Sequence, residues 1–515
     1  MFRKKCGLVG ALSLAAILAG KSASAQSPAV GGDRIDQLEG QIQALEREIQ
    51  QLKAKSRTAE KAETAYATAT PAVKAKVAPP SAVAKMSAGN RPSICTPDGL
   101  NCIAITSRLH FDAGGYSYHP NSALTTPQNL DSGVNARRAR IGLLGTFMGD
   151  WNYALIYDFG GSSDGLPPVS GAPTSGIENA YLSYTRLKPL SFELGYMDLP
   201  YTLEVATSSN DIMFMERASP QVIAANIAAG DFRSAVGIRG NDDRFWAGVY
   251  VTGPTSGTTH VFTPTANNAG VVPPALGTPG FSEQIGGFAR AAYQVVQDPK
   301  YSLHIGADVE FLITPPGTNA LTLSDRPELR IDPTAILSTG AIANIAHAQV
   351  YSGEAAAGYG PLFFQGEFFW YNVERLLGLP SVNFEGWYAE GSWTITGESR
   401  QYNPSAGAYA GIVPNNPFSL SAGGWGAWEI AARYSHVDLN DLFTPGIPIT
   451  ATNGVAGGVQ NIYTVGLNWY VNRNIRFMFN YLHGTVDKIS GAAATPGADI
   501  GAHFDALAMR TQVAF

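Results

Sequence analysis

Residues 504–515 read FDALAMRTQVAF, and the chain ends on the aromatic residue Phe515. Counting back by twos from Phe515 places Val513, Met509 and Leu507 on one face, and small or polar residues occupy the positions between them. Because successive side chains of a β-strand point to opposite faces, this alternation predicts a strand with one mostly apolar face and one small or polar face. Strands of the same kind recur through most of the chain.

The alternation begins near residue 108. In 301–311, for example, aromatic and aliphatic residues occupy the odd positions, and polar or small residues occupy the even ones. Sixteen strands are predicted, near 108–118, 136–147, 151–160, 176–186, 190–197, 233–240, 244–252, 283–296, 300–313, 345–358, 361–372, 383–396, 425–436, 460–471, 474–486 and 504–515. If they close on themselves, their apolar sides meet lipid and their polar sides face a lumen. We therefore predict an all-β fold, a sixteen-stranded antiparallel transmembrane β-barrel.

Composition and connection lengths agree with such a barrel. The 515 residues include 23 Phe, 22 Tyr, 8 Trp and 56 Gly. A secreted soluble β-protein is the alternative, but large aromatic residues repeat on one face in strand after strand. The predicted turns alternate with long connections, as periplasmic turns and external loops do in membrane barrels. The longest external loops are predicted at 198–232, 253–282, 314–344 and 437–459, whereas 397–424 is long on the side of the short turns.

The N-terminus predicts export. Residues 1–25 combine a basic start, a short apolar stretch from Leu8 to Ala19 and a small-residue site ending at Ala25, which is the pattern of a signal peptide. A membrane-anchoring helix is the alternative, but about a dozen apolar residues are too few to span a bilayer. Together with the aromatic closing strand, this pattern predicts the bacterial outer membrane, with outer-membrane lipid around the barrel.

Two further segments separate the signal peptide from the barrel. Residues 26–56 contain a heptad spacing of Ile and Leu that predicts a short coiled-coil helix, with a lone amphipathic helix as the alternative. Residues 57–104 are rich in Ala, Pro and Lys and predict a linker, which leaves 105–515 for the barrel. An even strand count places both barrel ends, and hence the N-terminal segment, in the periplasm, where it could contact the cell wall.

Two cysteines remain after removal of the signal peptide. Cys95 and Cys102 enclose six residues, and in an oxidising compartment this pair predicts a small disulfide loop. A metal site is disfavoured because no histidine or cysteine cluster accompanies the pair. No metal, cofactor or nucleic-acid partner is predicted.

Several motifs carry a resemblance to a known family. The longest is 135–161, NARRARIGLLGTFMGDWNYALIYDFGG, and it is followed by ENAYL at 178–182 and QGE at 365–367. TGE at 396–398 and GAWE at 426–429 extend the pattern. Over roughly residues 105–515 the chain resembles the phosphate-selective porin O and P family. The resemblance implies a trimeric sixteen-stranded channel with inward-folded loops and a series of arginines that passes anions along the pore.

Arginine suits such a path because its planar fork of donors matches phosphate oxygens and remains charged. The candidate pore-lining residues are Arg138, Arg140, Arg217, Arg239, Arg290, Arg400, Arg433, Arg476 and Arg510. Arg217 lies in the predicted constriction loop, and Arg400 lies in the long connection on the short-turn side. The alternative is that these arginines pair with lumen carboxylates and stiffen the wall. The candidate partners are Asp158, Glu310, Glu367 and Glu429.

The charge balance departs from the family pattern. From residue 91 on, 22 Lys and Arg stand against 34 Asp and Glu. The family's phosphate filter uses lysines, but the lysines of this region are Lys188, Lys300 and Lys488, none of which lies in 198–232. From the resemblance we predict a porin for small anionic solutes, phosphate among them. Because of the acidic charge balance, a porin for non-anionic small solutes is the alternative.

Two functions of other classes are considered. The N-terminal coiled coil and linker could make the protein chiefly an envelope tether. An outer-membrane enzyme is disfavoured because the eight histidines show no metal-ligand spacing and no nucleophile motif is present. Thus no catalytic residue is predicted.

Overall fold

The computed structural model describes residues 83–86, 91–121, 129–160, 176–230, 232–255, 284–298, 300–315 and 319–515. The predicted signal peptide, the coiled coil and most of the linker lie outside these residues. Among the helices in this part of the chain, none has the length and apolar character needed to cross a membrane.

The described chain is built almost entirely of strands. In chain order these are β1 (Val83–Met86), β2 (Pro92–Cys95), β3 (Cys102–Pro120), β4 (Gly133–Phe147), β5 (Trp151–Asp158), β6 (Gly176–Tyr184), β7 (Leu190–Met197), β8 (Arg233–Asn241), β9 (Phe245–Thr255), β10 (Ile285–Gln297), β11 (Tyr301–Thr314), β12 (Ala320–Leu321), β13 (Ser324–Asp325), β14 (Leu337–Ser338), β15 (Ile342–Ala343), β16 (Ile345–Tyr359), β17 (Leu362–Arg375), β18 (Val382–Thr394), β19 (Tyr402–Asn403), β20 (Ala408–Tyr409), β21 (Ala427–Asp441), β22 (Val455–Tyr470), β23 (Ile475–Asp487) and β24 (Ala502–Ala514). The short helices are α1 (Leu203–Ala206), α2 (Ser219–Ala225) and α3 (Ile449–Thr452).

Sixteen strands close into an antiparallel barrel. From β3 to β11, and then through β16, β17, β18 and β21 to β24, each strand pairs with the next one in this series. The last strand returns to the first, in a register that runs from Ala502 opposite Pro120 to Ala514 opposite Arg108. The predicted sixteen-stranded all-β barrel is confirmed.

The two faces of the wall differ as the alternation predicts. In β24, Leu507 and Met509 point outward and are 67% and 41% exposed. Arg510, the next residue, points toward the lumen and is fully buried. Apolar side chains outside and polar side chains inside are what a lipid-embedded barrel requires.

Three segments fold into the lumen and narrow it. We call residues 198–230 the inward loop; it contains α1 and α2 and contributes buried apolar residues such as Leu199, Tyr201 and Ile223 to a core inside the barrel. The connection between β11 and β16 places Leu323 and Leu337 in the same core. We call residues 395–426 the long turn; it joins β18 to β21 at the end of the barrel where the other connections are short.

Part of the predicted linker is folded. Strands β1 and β2 form a hairpin, and β2 pairs with the start of β3, where Ser93 lies opposite Ala104. On that edge of β3, β24 pairs as far as Arg108, and Phe515 exchanges two backbone hydrogen bonds with Ser107. The hairpin therefore satisfies backbone groups that would otherwise form an open edge. Cys95 and Cys102 form a disulfide at this junction.

Candidate functional site

The inward loop is held through its backbone N–H groups by carboxylates of other elements. The Glu367 carboxylate accepts hydrogen bonds from the N–H of Leu203 (2.7 Å), at the start of α1. Glu328 does the same for Ser219 (2.9 Å), at the start of α2. The first N–H groups of a helix have no partner within the helix. Carboxylates at these positions accept hydrogen bonds from them and interact favourably with the positive end of the helix dipole. Glu310 accepts from two further N–H groups, those of Ala228 and Ala229.

Arginines hold the same loop through its carbonyl groups. Four of the predicted pore arginines donate to the backbone carbonyls of residues 210–216, and all four are at most 9% exposed. The contacts are Arg400 with Asp211 (2.6 Å), Arg476 with Asn210 (3.2 Å), Ile212 (2.8 Å) and Met213 (3.3 Å), Arg433 with Glu216 (3.0 Å), and Arg510 with Met215. These arginines thus lie between the wall and the loop, and they position the loop.

The same arginines are paired with carboxylates. Arg400 contacts Glu429 at 2.8 Å, and Arg433 contacts Glu328 at 2.5 Å. Arg290 contacts Glu354 at 2.9 Å and also donates to carbonyls of the long turn. The alternative that lumen arginines stiffen the wall therefore describes this group well. Of the four predicted carboxylate partners, Asp158 and Glu429 bind arginine, whereas Glu310 and Glu367 bind the loop backbone.

Glu216, in the inward loop, is the centre of a buried charge network. Arg137 donates to both of its carboxylate oxygens at 2.8 and 2.9 Å, and Arg510 reaches it at 2.7 Å. Burial by itself would raise the pKa of Glu216, but the neighbouring guanidiniums, Arg137 foremost, hold it well below the usual range. Arg138 lies 3.9 Å away.

Arg137 is absent from the predicted set because strict alternation points it outward. The register between β3 and β4 shifts between His110 and Asp112, which lie opposite Arg138 and Asn135. The shift inserts one extra residue into β4, a β-bulge, so that Arg137 and Arg138 are both buried. Consecutive arginines in a strand were the available signal, but alternation alone does not reveal a bulge.

A cavity of about 260 Å³ remains beside the inward loop. Arg108 and Arg140, which face each other directly across β3 and β4, line it together with Ser208 and Ser209 of the loop. The guanidinium of Arg108 donates to Ser209 Oγ (2.6 Å) and Ser208 Oγ (3.3 Å). In the described chain, no carboxylate oxygen lies within 4.0 Å of that guanidinium. Arg108 is absent from the predicted set, although it shares the inward parity of His110 and Asp112.

Acidic side chains border the same cavity. Glu178 and Asp198 contribute to its lining. Arg140 is paired with Glu178 and with Asp158, the latter at 2.7 Å. The cavity therefore offers one guanidinium bound only to hydroxyl groups and one that carboxylates already neutralise.

Two predicted arginines lie elsewhere on the lumen surface. Arg217 is partly buried and donates to carbonyls of its own loop, those of Glu204 (3.0 Å) and Thr207 (3.1 Å). Arg239 contacts Glu193 at 2.9 Å, and its side chain is 26% exposed. Of the nine predicted arginines, four hold the inward loop and Arg290 holds the long turn. Arg138, Arg140 and Arg239 contact carboxylates, and Arg217 binds carbonyls of its own loop, so no single series of exposed guanidiniums runs through them.

Several known proteins are similar to this chain. The family described as Phosphate-selective porin O and P matches residues 103–515. Porin O of Pseudomonas aeruginosa is 25% identical over 424 residues, which cover 77% of this chain and 88% of that protein. Among solved structures, an anion-selective porin from Comamonas acidovorans covers 81% of this chain and 100% of its own, at 14% identity and a TM-score of 0.42. An outer membrane protein of Vibrio cholerae, OmpT, covers 81% and 98% at 10% identity and a TM-score of 0.43.

Proposed function

The chain belongs to the phosphate-selective porin O and P family, and from this premise we propose that it is a passive channel for small anions, phosphate among them. Membership of a porin family favours an outer-membrane channel over an enzyme. The end with the long connections is then the extracellular end, and the barrel interior is the route of the solute.

The observation that supports anion passage is the cavity at Arg108. Arg108 and Arg140 lie directly opposite each other, and the carboxylates that offset this pair of like charges contact Arg140. Arg140 is neutralised by its carboxylates, whereas Arg108 is bound by two serine hydroxyls. A guanidinium and hydroxyl donors around a small cavity suit a transient anion site, because binding is favourable and yet weak enough for release.

The proposal assigns different roles to the predicted arginines. Arg140, Arg217 and Arg239 act with Arg108 along the solute path, and Arg138 lies behind Glu216. The four clamp arginines, defined as Arg400, Arg433, Arg476 and Arg510, keep the inward loop at its place in the lumen. This division lets the acidic total charge coexist with a local positive potential, since a cleft concentrates the field of the charges that line it.

Ion selectivity of the purified protein in a planar bilayer tests the proposal. In a potassium chloride gradient, we expect the reversal potential to have the sign of a chloride-selective channel. We also expect the chloride current to decrease when phosphate is added. Chloride selectivity without an effect of phosphate would support a general anion porin. Cation selectivity would refute the anion channel and favour a porin for non-anionic or cationic solutes.

A tethering role is the second candidate, favoured by the hairpin at the start of the barrel. The disulfide between Cys95 and Cys102 and the pairing of β2 with β3 fix β2 to the start of the barrel wall. Deletion of residues 26–90 separates the functions. Loss of envelope integrity with unchanged conductance would show that cell-wall contact through this segment is the main role.

We also propose a homotrimer, as the family resemblance implies. The mass of the detergent-extracted complex tests this proposal directly. A mass of one chain plus detergent would refute it.

A further inference from the structure

A pair of histidines lies on the outside of the barrel at the end with the long connections. His119, near the end of β3, lies directly opposite His503, near the start of β24. Their imidazole rings face each other, with centroids 4.9 Å apart and planes inclined by 22°. Both side chains are exposed.

A carboxylate and a third imidazole adjoin this pair. Asp505 follows His503 by two residues on the same face of β24 and lies opposite His483 of β23. The Asp505 carboxylate is 3.0 Å from His483 Nδ1 and accepts a hydrogen bond from Tyr481 (2.6 Å). The side chains of His483 and Asp505 are 43% and 41% exposed, so both can change rotamer.

This polar group is out of place on an outward face. Farther along the same strands, the outward positions are apolar, as Leu507, Met509 and Phe479 show. At this end of the barrel, by contrast, three imidazoles and one carboxylate lie on the outward side of three adjacent strands, and these are groups that transition metals bind.

We propose that His119 and His503 bind a divalent transition metal ion of the zinc class, with Asp505 as a third ligand. Neutral imidazole nitrogens and carboxylate oxygens are the groups that zinc binds, and three protein ligands leave one position for water. Tyr481 and His483 both bind Oδ1 of Asp505, which leaves Oδ2 for the ion. His483 then remains beside the carboxylate as the group that orients it.

The sequence does not predict this site because its members are far apart along the chain. His119 belongs to the first barrel strand, whereas His483, His503 and Asp505 belong to the last two. Local spacing rules for metal ligands find nothing here, and only closure of the barrel, which sets β24 against β3, brings the two imidazoles together.

Zinc binding to the full-length, untagged protein tests the proposal. After treatment with a chelator, the detergent-solubilised protein is titrated with zinc chloride in an isothermal calorimeter. We expect one ion per chain, and at least about a tenfold loss of affinity in His119→Ala or His503→Ala, since even groups that only support a ligand change affinity by that much. His347→Ala is the control, because His347 is exposed on β16 and contacts the Ile313 carbonyl. Its affinity should equal that of the wild type.

The thermal unfolding midpoint gives a second readout that does not depend on conduction. Zinc should raise the midpoint of the wild-type protein and of His347→Ala, because a ligand that binds only the folded state stabilises it. It should not raise the midpoint of the double variant H119A/H503A, whose circular dichroism verifies that the barrel is folded. Absence of binding to the wild type, or binding that the double variant retains, would overturn the proposal.

Discussion

Arg510 in the last strand and Glu216 in the inward loop form a buried ion pair, with 2.7 Å between Nη2 and Oε1. Arg510 also binds both oxygens of Asp112 in the first barrel strand, each at 2.6 Å. One side chain therefore joins the two strands that close the barrel to the loop that narrows its lumen. Closure of the wall and placement of the constriction depend on the same residue.

Arg510→Ala should destabilise the barrel. The change leaves the carboxylates of Asp112 and Glu216 buried with fewer partners, and breaking a buried pair in this way costs about 3–5 kcal/mol. The free energy of unfolding in urea measures the loss. Arg186→Ala is the matched control, because Arg186 is 69% exposed in its pair with Asp150 and should change stability by less than about 1 kcal/mol. Equal effects of the two substitutions would contradict the central role of Arg510.

Arg476→Ala should loosen the tip of the inward loop. Arg476 donates to three of its carbonyls, and hydrogen bonds from a charged group contribute roughly 1.5–3 kcal/mol each before relaxation. Amide hydrogen exchange in residues 210–213 should accelerate about tenfold or more, with larger current fluctuations in single channels. Arg375→Ala serves as the comparison, since Arg375 binds carbonyls of Pro380 and Asn453 away from the loop. Unchanged exchange at 210–213 would remove Arg476 from the clamp.

Arg108→Ala should weaken anion binding with little effect on folding. The substitution removes a guanidinium that is bound by serine hydroxyls. The phosphate concentration that gives the same decrease of chloride current should therefore be about tenfold or more higher than for the wild type. Arg244→Ala, in an exposed turn, should leave the current and its phosphate dependence unchanged. A phosphate effect that survives loss of Arg108 would place the anion site elsewhere.

The start of the inward loop should be more stable at weakly acidic pH than at alkaline pH. Burial, and then the nearby Glu390 carboxylate, raise the pKa of Glu204 to about 8 against an ordinary 4.5, although Arg433 and Arg217 oppose this shift. Because the folded pKa is the higher one, the stabilisation is complete below pH 4.5 and is lost as the pH rises through 8. Hydrogen exchange of α1 amides, corrected for intrinsic rates, should thus be slower near pH 5 than near pH 9.

Glu204→Gln is the test of that assignment. Glutamine has nearly the same shape and stays neutral, so the pH dependence of α1 exchange should diminish. If the dependence persists, it arises from another buried acid in the lumen.

Much of the fold follows from period-two alternation alone, because each barrel strand must be apolar outside and polar inside over its whole length. The lumen is less predictable. Alternation correctly points Arg433 and Arg476 inward, but whether an inward arginine meets solute or a folded loop depends on the path of residues 198–230, which no local pattern encodes. Arg137 was missed because a bulge changes the parity of β4 at that point. Arg108, in contrast, shares the parity of His110 and Asp112, so alternation alone points it inward.

The pairing of β2 and β24 on one edge of β3 has a consequence for the order of assembly. Strands β2 and β3 are joined by a six-residue loop and can pair early, whereas Thr106 and the terminal residue Phe515, which share a hydrogen bond, are 409 positions apart. Contacts between distant positions carry the largest loop-closure cost and generally form late. If β2 pairs with β3 first, it occupies the edge of β3 beyond the residues that pair with β24. A shift of β24 along β3 in that direction would then collide with β2.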